Sequence, residues 1–263
     1  MPAPRRNVLK PPARRIRRGS RLLRPAPLPP PGPQLVQVAT GNSGVASTTL
    51  SATFGSTPTA GNLLVFAMAG DKNTGALTLA GWTPVFELLA TSVSLYLAWK
   101  VSDGTETTVS PSWATSSAAG NMAWVGEYID TGSAGAWSLL ASASNINVAD
   151  ATSTSQATGT TAATSADGLA VALACIDSGT SVTLGTQAWS GGYVERYAPS
   201  GGGKGTPFLA EKFELASATA TSTFSFTGTA DQLSAAIGVW AKVVAGAPPA
   251  RAPALTSQYG GFY

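Results

Sequence analysis

Two pairs of acidic side chains stand three residues apart, Asp103 with Glu106 and Glu211 with Glu214. Paired carboxylates that face one cleft can run glycoside hydrolysis as acid and base or nucleophile. The spacing argues against that use, because residues three apart on a strand point to opposite faces and Asp103-Gly104 reads as a turn. Asp71 with Asn73, and Asn145, Asn147 and Asp150, offer oxygens of the kind that calcium takes in loops. They lack the Gly and terminal Glu of an EF-hand loop, so turn-forming Asx residues are expected instead. The run Ser200-Gly-Gly-Gly-Lys-Gly-Thr206 has the composition of a phosphate-binding loop, but Gly205 separates Lys204 from the Thr that such a loop needs next to it. A flexible hairpin loop is expected there.

Composition closes further routes. The chain has 263 residues, 11% of them charged, with one cysteine and no histidine. Without an imidazole there is no Ser-His-Asp hydrolase, no HExxH metalloprotease and no His-ligated metal. A single cysteine removes disulfide frameworks and Cys-rich zinc modules. Within the apolar run 169–176, Cys175 reads as a small buried hydrophobe. The expectation is a non-enzymatic protein with no catalytic residues, no metal and no cofactor.

Seven tryptophans remain as possible ligand platforms. Trp82, Trp99, Trp124, Trp189 and Trp240 lie in or beside strand-like segments and are expected in the core. Trp113 and Trp137 sit in Ser/Gly/Ala-rich segments, where an exposed indole would stack on a sugar or anchor a partner.

The charge is divided along the chain. Residues 1–34 hold nine cations and no acid (Arg5, Arg6, Lys10, Arg14, Arg15, Arg17, Arg18, Arg21, Arg24), whereas residues 35–263 hold seven basic and thirteen acidic residues. Ten of the eighteen prolines also lie in residues 1–34, which excludes a stable helix or central strand. The basic residues there are not followed by the apolar stretch of a secretory leader, so none is expected. No apolar run reaches the roughly 20 residues of a membrane-spanning helix. Nine charges could neutralise nucleic-acid phosphates, but aromatics for stacking on bases are absent. An arm that orders on an acidic protein surface during assembly fits better. The Pro/Ala-rich tail 246–263 ends in Tyr259, Phe262 and Tyr263, a second candidate docking segment.

The elements that position these residues are strands. Segments 36–40, 48–54, 63–69, 77–79, 85–89, 94–101, 107–110 and 122–129 are short, rich in β-branched or aromatic residues, and separated by Gly, Asn, Asp, Ser or Pro. The stretch 141–166 reads as a strand pair or a long surface loop. The body also repeats itself. Asn62-Leu-Leu-Val-Phe-Ala-Met aligns with Gly168-Leu-Ala-Val-Ala-Leu-Ala, residues 94–101 align with 206–213, and 121–128 align with 233–240. Each copy of about four strands has an apolar face that it cannot cover alone. The expected fold is therefore all-β: a jelly-roll-like sandwich of two similar halves over residues 35–245, preceded by the extended basic arm. Two separate small domains are the alternative.

The segments Ala60-Gly-Asn-Leu-Leu-Val-Phe-Ala, Gly81-Trp-Thr-Pro-Val, Tyr96-Leu-Ala-Trp-Lys-Val-Ser-Asp-Gly-Thr-Glu-Thr-Thr and Ala123-Trp-Val-Gly-Glu-Tyr resemble a domain of structural proteins of tailed bacteriophages. Minor tail proteins of phages that infect actinobacteria are included in that resemblance, which covers roughly residues 40–245. It implies a virion component assembled in the host cytoplasm, with other virion proteins as partners, the body facing a host-surface glycan, and a homo-oligomer such as a trimer. Capsid decoration is an alternative placement, and a lectin-like carbohydrate-binding module an alternative class. The resemblance transfers no active-site residue.

Overall fold

The computed structural model describes residues 32–43, 47–71, 75–89, 93–114, 120–147, 153–177, 185–199, 205–230 and 232–244. The nine arm cations, and Tyr259, Phe262 and Tyr263, lie outside the described residues. So do Asn73, Asp150 and the glycines and lysine of 200–204. The compact unit that holds the body starts at Pro31.

All regular structure among the described residues is β. The first copy contains β1 (Gln34–Asn42), β2 (Ala52–Thr53), β3 (Leu63–Asp71), β4 (Leu77–Thr78), β5 (Thr83–Leu89), β6 (Val93–Val101), β7 (Thr108–Val109), β8 (Ser112–Trp113) and β9 (Asn121–Ile129). The second contains β10 (Ala136–Asn147), β11 (Ser153–Thr160), β12 (Gly168–Asp177), β13 (Gln187–Trp189), β14 (Val194–Tyr197), β15 (Thr206–Glu214), β16 (Thr221–Ala230) and β17 (Gln232–Val243). Segment 48–54 shortens to an isolated bridge at Thr49 and the two residues of β2. Within 141–166, residues 141–147 belong to β10 and 153–160 to β11, and these two strands lie in different sheets rather than in one hairpin.

The two copies share one strand order. The large sheet of the first copy runs β1-β9-β3-β6-β5, and that of the second runs β10-β17-β12-β15-β14, with every pairing antiparallel. The register repeats as well. Leu63 pairs with Tyr128 and Val101, and Leu169 pairs with Trp240 and Phe213. Both first strands carry a bulge at the same place, after Leu35 opposite Tyr128 and after Leu139 opposite Trp240. A bulge reproduced in position is a built-in feature of the sheet edge rather than a defect.

The large sheets form the two inner layers of the body. Leu63, Val65, Ala67 and Ala69 of β3 join Trp124, Tyr128, Leu169, Val171, Leu173, Cys175 and Trp240 in one core between them. The alternate β3 residues Leu64, Phe66 and Met68 point the other way, onto a cover made by the segments around β2, β4, β7 and β8. In β12 the outward residues Ala170, Ala172, Ala174 and Ile176 meet a cover that includes the three-stranded sheet β11-β16-β13. A strand covered on both faces needs apolar residues at both parities, which is why the runs 63–69 and 169–176 are continuous rather than alternating. The expectation of about four strands per copy falls short of the five in each large sheet and leaves out the covering layer.

Gly126 and Gly238 hold this packing open. A side chain at Gly126 would overlap the indole of Trp124, and one at Gly238 would overlap that of Trp240. Each tryptophan lies over a glycine two residues away on its own strand, so the bare backbone makes room for the ring.

Candidate binding groove and buried polar network

A groove of about 300 Å³ opens in the first copy where the cover strand β4 meets the edge strand β5 and its neighbour β6. Leu77, Leu79, Trp82 and Pro84 contribute apolar and aromatic surface, Tyr96 is buried beneath them, and Glu87 supplies a carboxylate. Trp82 is half-buried and makes an edge contact with Phe66 at 5.9 Å between ring centroids. Glu87 is exposed, and its Oε1 accepts a 2.6 Å hydrogen bond from the Leu77 amide. The Tyr96 hydroxyl donates to the Gly75 carbonyl at 2.5 Å, which ties β6 to the segment leading into β4. Among the described residues no cationic side chain lines the groove. An aromatic and apolar trough with one carboxylate suits a ligand that carries both apolar surface and positive charge.

The second copy fills the corresponding region. Tyr193 precedes β14 as Trp82 precedes β5, but it is buried and donates its hydroxyl to Glu214. Nearby, Trp189 packs on Phe224 at 5.0 Å, while Phe224 stacks with Phe208 at 4.7 Å and Phe226 at 5.8 Å.

The acidic pairs are held by neighbouring groups. Around the turn at Asp103-Gly104, Glu106 meets Lys100 at 2.6 Å and accepts from the Ser102 hydroxyl at 2.7 Å. Burial pushes the Glu106 carboxyl up, but the hydrogen bonds from Lys100, Ser102 and nearby amides outweigh it and bring the pKa down to about 2. Asp103 closes the turn by accepting from the Thr105 amide at 2.9 Å, with Gly104 at φ 83°. Glu211 and Glu214 point to opposite faces of β15. Glu211 enters the core between the large sheets, where it pairs with Arg196 and accepts from the Tyr128 hydroxyl at 2.8 Å. Desolvation first, and then the charge of Glu211, hold the Tyr128 phenol well above its ordinary pKa. Glu214 faces outward to the Tyr193 hydroxyl at 3.0 Å and Lys212 at 3.1 Å.

The two candidate sugar platforms are buried instead. Trp113 is 5% exposed in β8 and donates its indole N–H to the Ser47 carbonyl at 2.9 Å. Trp137 is 4% exposed in β10, with Lys242 at 5.7 Å from its ring centroid. Their polar sequence neighbours face solvent across the strand, so local composition misreported the environment of the indoles. Trp99, Trp124, Trp137, Trp189 and Trp240 bury their ring N–H groups without an acceptor among the described residues. Cys175 is a free, buried thiol. No group of three His, Cys, Asp or Glu side chains among the described residues could hold a metal.

Sequence reasoning assigned Trp82 to the core and singled out neither Glu87 nor Pro84. A signal was present in Trp82-Thr-Pro-Val-Phe-Glu87, because a proline within a strand marks an edge and an edge strand flanks open surface. Comparison with protein-family models, curated proteins and solved structures finds no match for this chain.

Proposed function

We propose that the chain is a non-enzymatic structural component of a tailed-phage virion, a minor tail or tail-tip protein. In this reading the basic arm anchors it to other virion proteins and the β-body faces the host surface. The observation that carries the structural half of the reading is the duplicated body. Its candidate acids are engaged as Glu106–Lys100, Glu211–Arg196 and Glu214–Lys212 pairs rather than opposed across a cleft. The segments that resemble phage structural proteins contribute to β3, β5, β6 and β9 of the first large sheet.

The topology also supports a finer description that departs from a single roll shared by both halves, in which each copy is a jelly roll by itself. In an eight-strand roll of two Greek keys the first, eighth, third and sixth strands lie side by side, and the second, seventh and fourth form the facing layer. The eight strands of the second copy follow that order as β10-β17-β12-β15 and β11-β16-β13, with the fifth, β14, paired instead to β15. The body is then two rolls placed back to back.

Immuno-electron microscopy of particles tests the placement: label at the tail tip supports the reading, and label confined to the head replaces it with capsid decoration. Removal of residues 1–34 tests anchoring. The truncated chain is expected to keep its β signature in circular dichroism and to be missing from particles. Normal incorporation without the arm would reject arm anchoring.

A further inference from the structure

The groove of the first copy and the arm sequence are complementary. The arm contains Arg24-Pro-Ala-Pro27-Leu-Pro-Pro30, in which Arg24, Pro27 and Pro30 recur every third residue. A polyproline II helix has three residues per turn, so this spacing places the guanidinium and two prolyl rings along one edge, over about 19 Å at 3.1 Å per residue. Such a helix is pre-organised by its prolines and docks in aromatic-lined troughs at low entropic cost. The groove supplies the matching parts: Trp82, Pro84, Leu77 and Leu79 as apolar surface, and Glu87 as the only charged group of the lining among the described residues.

We propose that this groove receives the Arg24–Pro30 segment of a neighbouring copy of the chain, with Pro27 and Pro30 against Trp82 and Pro84 and Arg24 paired to Glu87. Glu87 commits one oxygen to the Leu77 amide, and its second is the acceptor for Arg24. At the corresponding place in the second copy Tyr193 is buried with its hydroxyl on Glu214, so among the described residues no half-exposed indole stands there. Each molecule would therefore present one acceptor and one donor segment, a head-to-tail arrangement that closes a ring or extends a row. The inference rests on the reading of the arm as an assembly element and names its acceptor.

The test uses full-length protein. Sedimentation velocity is expected to show concentration-dependent self-association of the wild type. Glu87→Gln, which keeps an oxygen for the Leu77 amide, and Arg24→Ala should each weaken it at least about tenfold, the equivalent of about 1.4 kcal/mol. Decisive evidence comes from complementation. Chains carrying Arg24→Glu and chains carrying Glu87→Arg should each stay monomeric alone and associate when mixed, because the intact arm of one meets the intact groove of the other. A labelled peptide of residues 22–33 should bind the Arg24→Ala chain and be lost with Glu87→Arg. Self-association indifferent to Glu87→Gln and Arg24→Ala, or no complementation on mixing, overturns the proposal. The microscopy and particle-incorporation tests above read out independently, so arm anchoring to a different acceptor would still register there after the groove had failed.

Discussion

The two copies run the same strand order and register but solve the same packing problem with different side chains. Where the first copy places Tyr128 the second places Trp240, and where the second places Glu211 the first places Trp99. One pseudo-equivalent position thus holds a hydrogen-bonded phenol and carboxylate, and the other holds two indoles. The outward face of the central strand differs too, with Leu64, Phe66 and Met68 against Ala170, Ala172 and Ala174. In the second copy the missing bulk comes from Phe224 and Phe226 of the cover. Backbone order therefore tolerates wide exchange of side chains provided that each layer stays filled. The buried polar pair does something the indoles cannot, since its bond requires one sheet to sit at one position over the other.

The largest expected effect comes from breaking that pair. Glu211→Leu leaves the Tyr128 hydroxyl buried without its acceptor and Arg196 without its carboxylate, and should lower unfolding stability by about 3–5 kcal/mol in urea titration. Adding Tyr128→Phe should restore part of the loss. If the double variant is no more stable than Glu211→Leu alone, the hydroxyl contributes nothing to register. A side chain at either glycine tests the equivalence itself. Gly126→Ala and Gly238→Ala should each cost about 1–3 kcal/mol by forcing an indole out of its place, and a large cost at only one of them would break the correspondence. The Glu106 cluster belongs to the first copy alone. Its carboxyl is depressed to about 2 from 4.5, so its contribution is full above pH 4.5 and lost as pH falls towards 2. Glu106→Gln should remove up to about 2 kcal/mol of this acid-dependent stability after solvent screening, seen as a flatter profile of stability over that range. The smallest effect is expected at Cys175, which stands where the first copy has Ala69. Cys175→Ala should cost less than about 1.5 kcal/mol, and the native thiol should react with a maleimide only on unfolding.

Much of this was legible in the sequence, and what was not has a common cause. The repeat offsets read from 62–68 against 168–174 and from 94–101 against 206–213 match the observed register, because inward-facing residues of paired strands must recur in phase. The Asp103-Gly104 turn and the opposed faces of Glu211 and Glu214 follow from local geometry. By contrast, the Tyr128–Glu211 bond joins residues 83 positions apart, and no periodicity within either strand announces it. Segments 48–54, 77–79 and 107–110 read as strands, but their place in a covering layer did not show, because β2, β4, β7 and β8 are two residues each, too short for an alternation to mark a buried face. Burial of Trp113 and Trp137 depends on those covers and on the partner sheet. The groove depends on which strand lies at an edge, which is a property of the whole sheet.

Asp130 begins the short link from β9 to β10, capping it through the amides of Gly132 and Ser133, and its carbonyl accepts from Lys242 at 2.7 Å. Had the two sheets met as separate identical molecules about a two-fold axis, any residue placed on one side would have appeared on the other, and Glu211 would have been present twice. A covalent tether removes that obligation. It holds the sheets at a high effective concentration and lets one copy evolve a lock while its twin keeps an open trough, so that a duplicated protein acquires a front and a back.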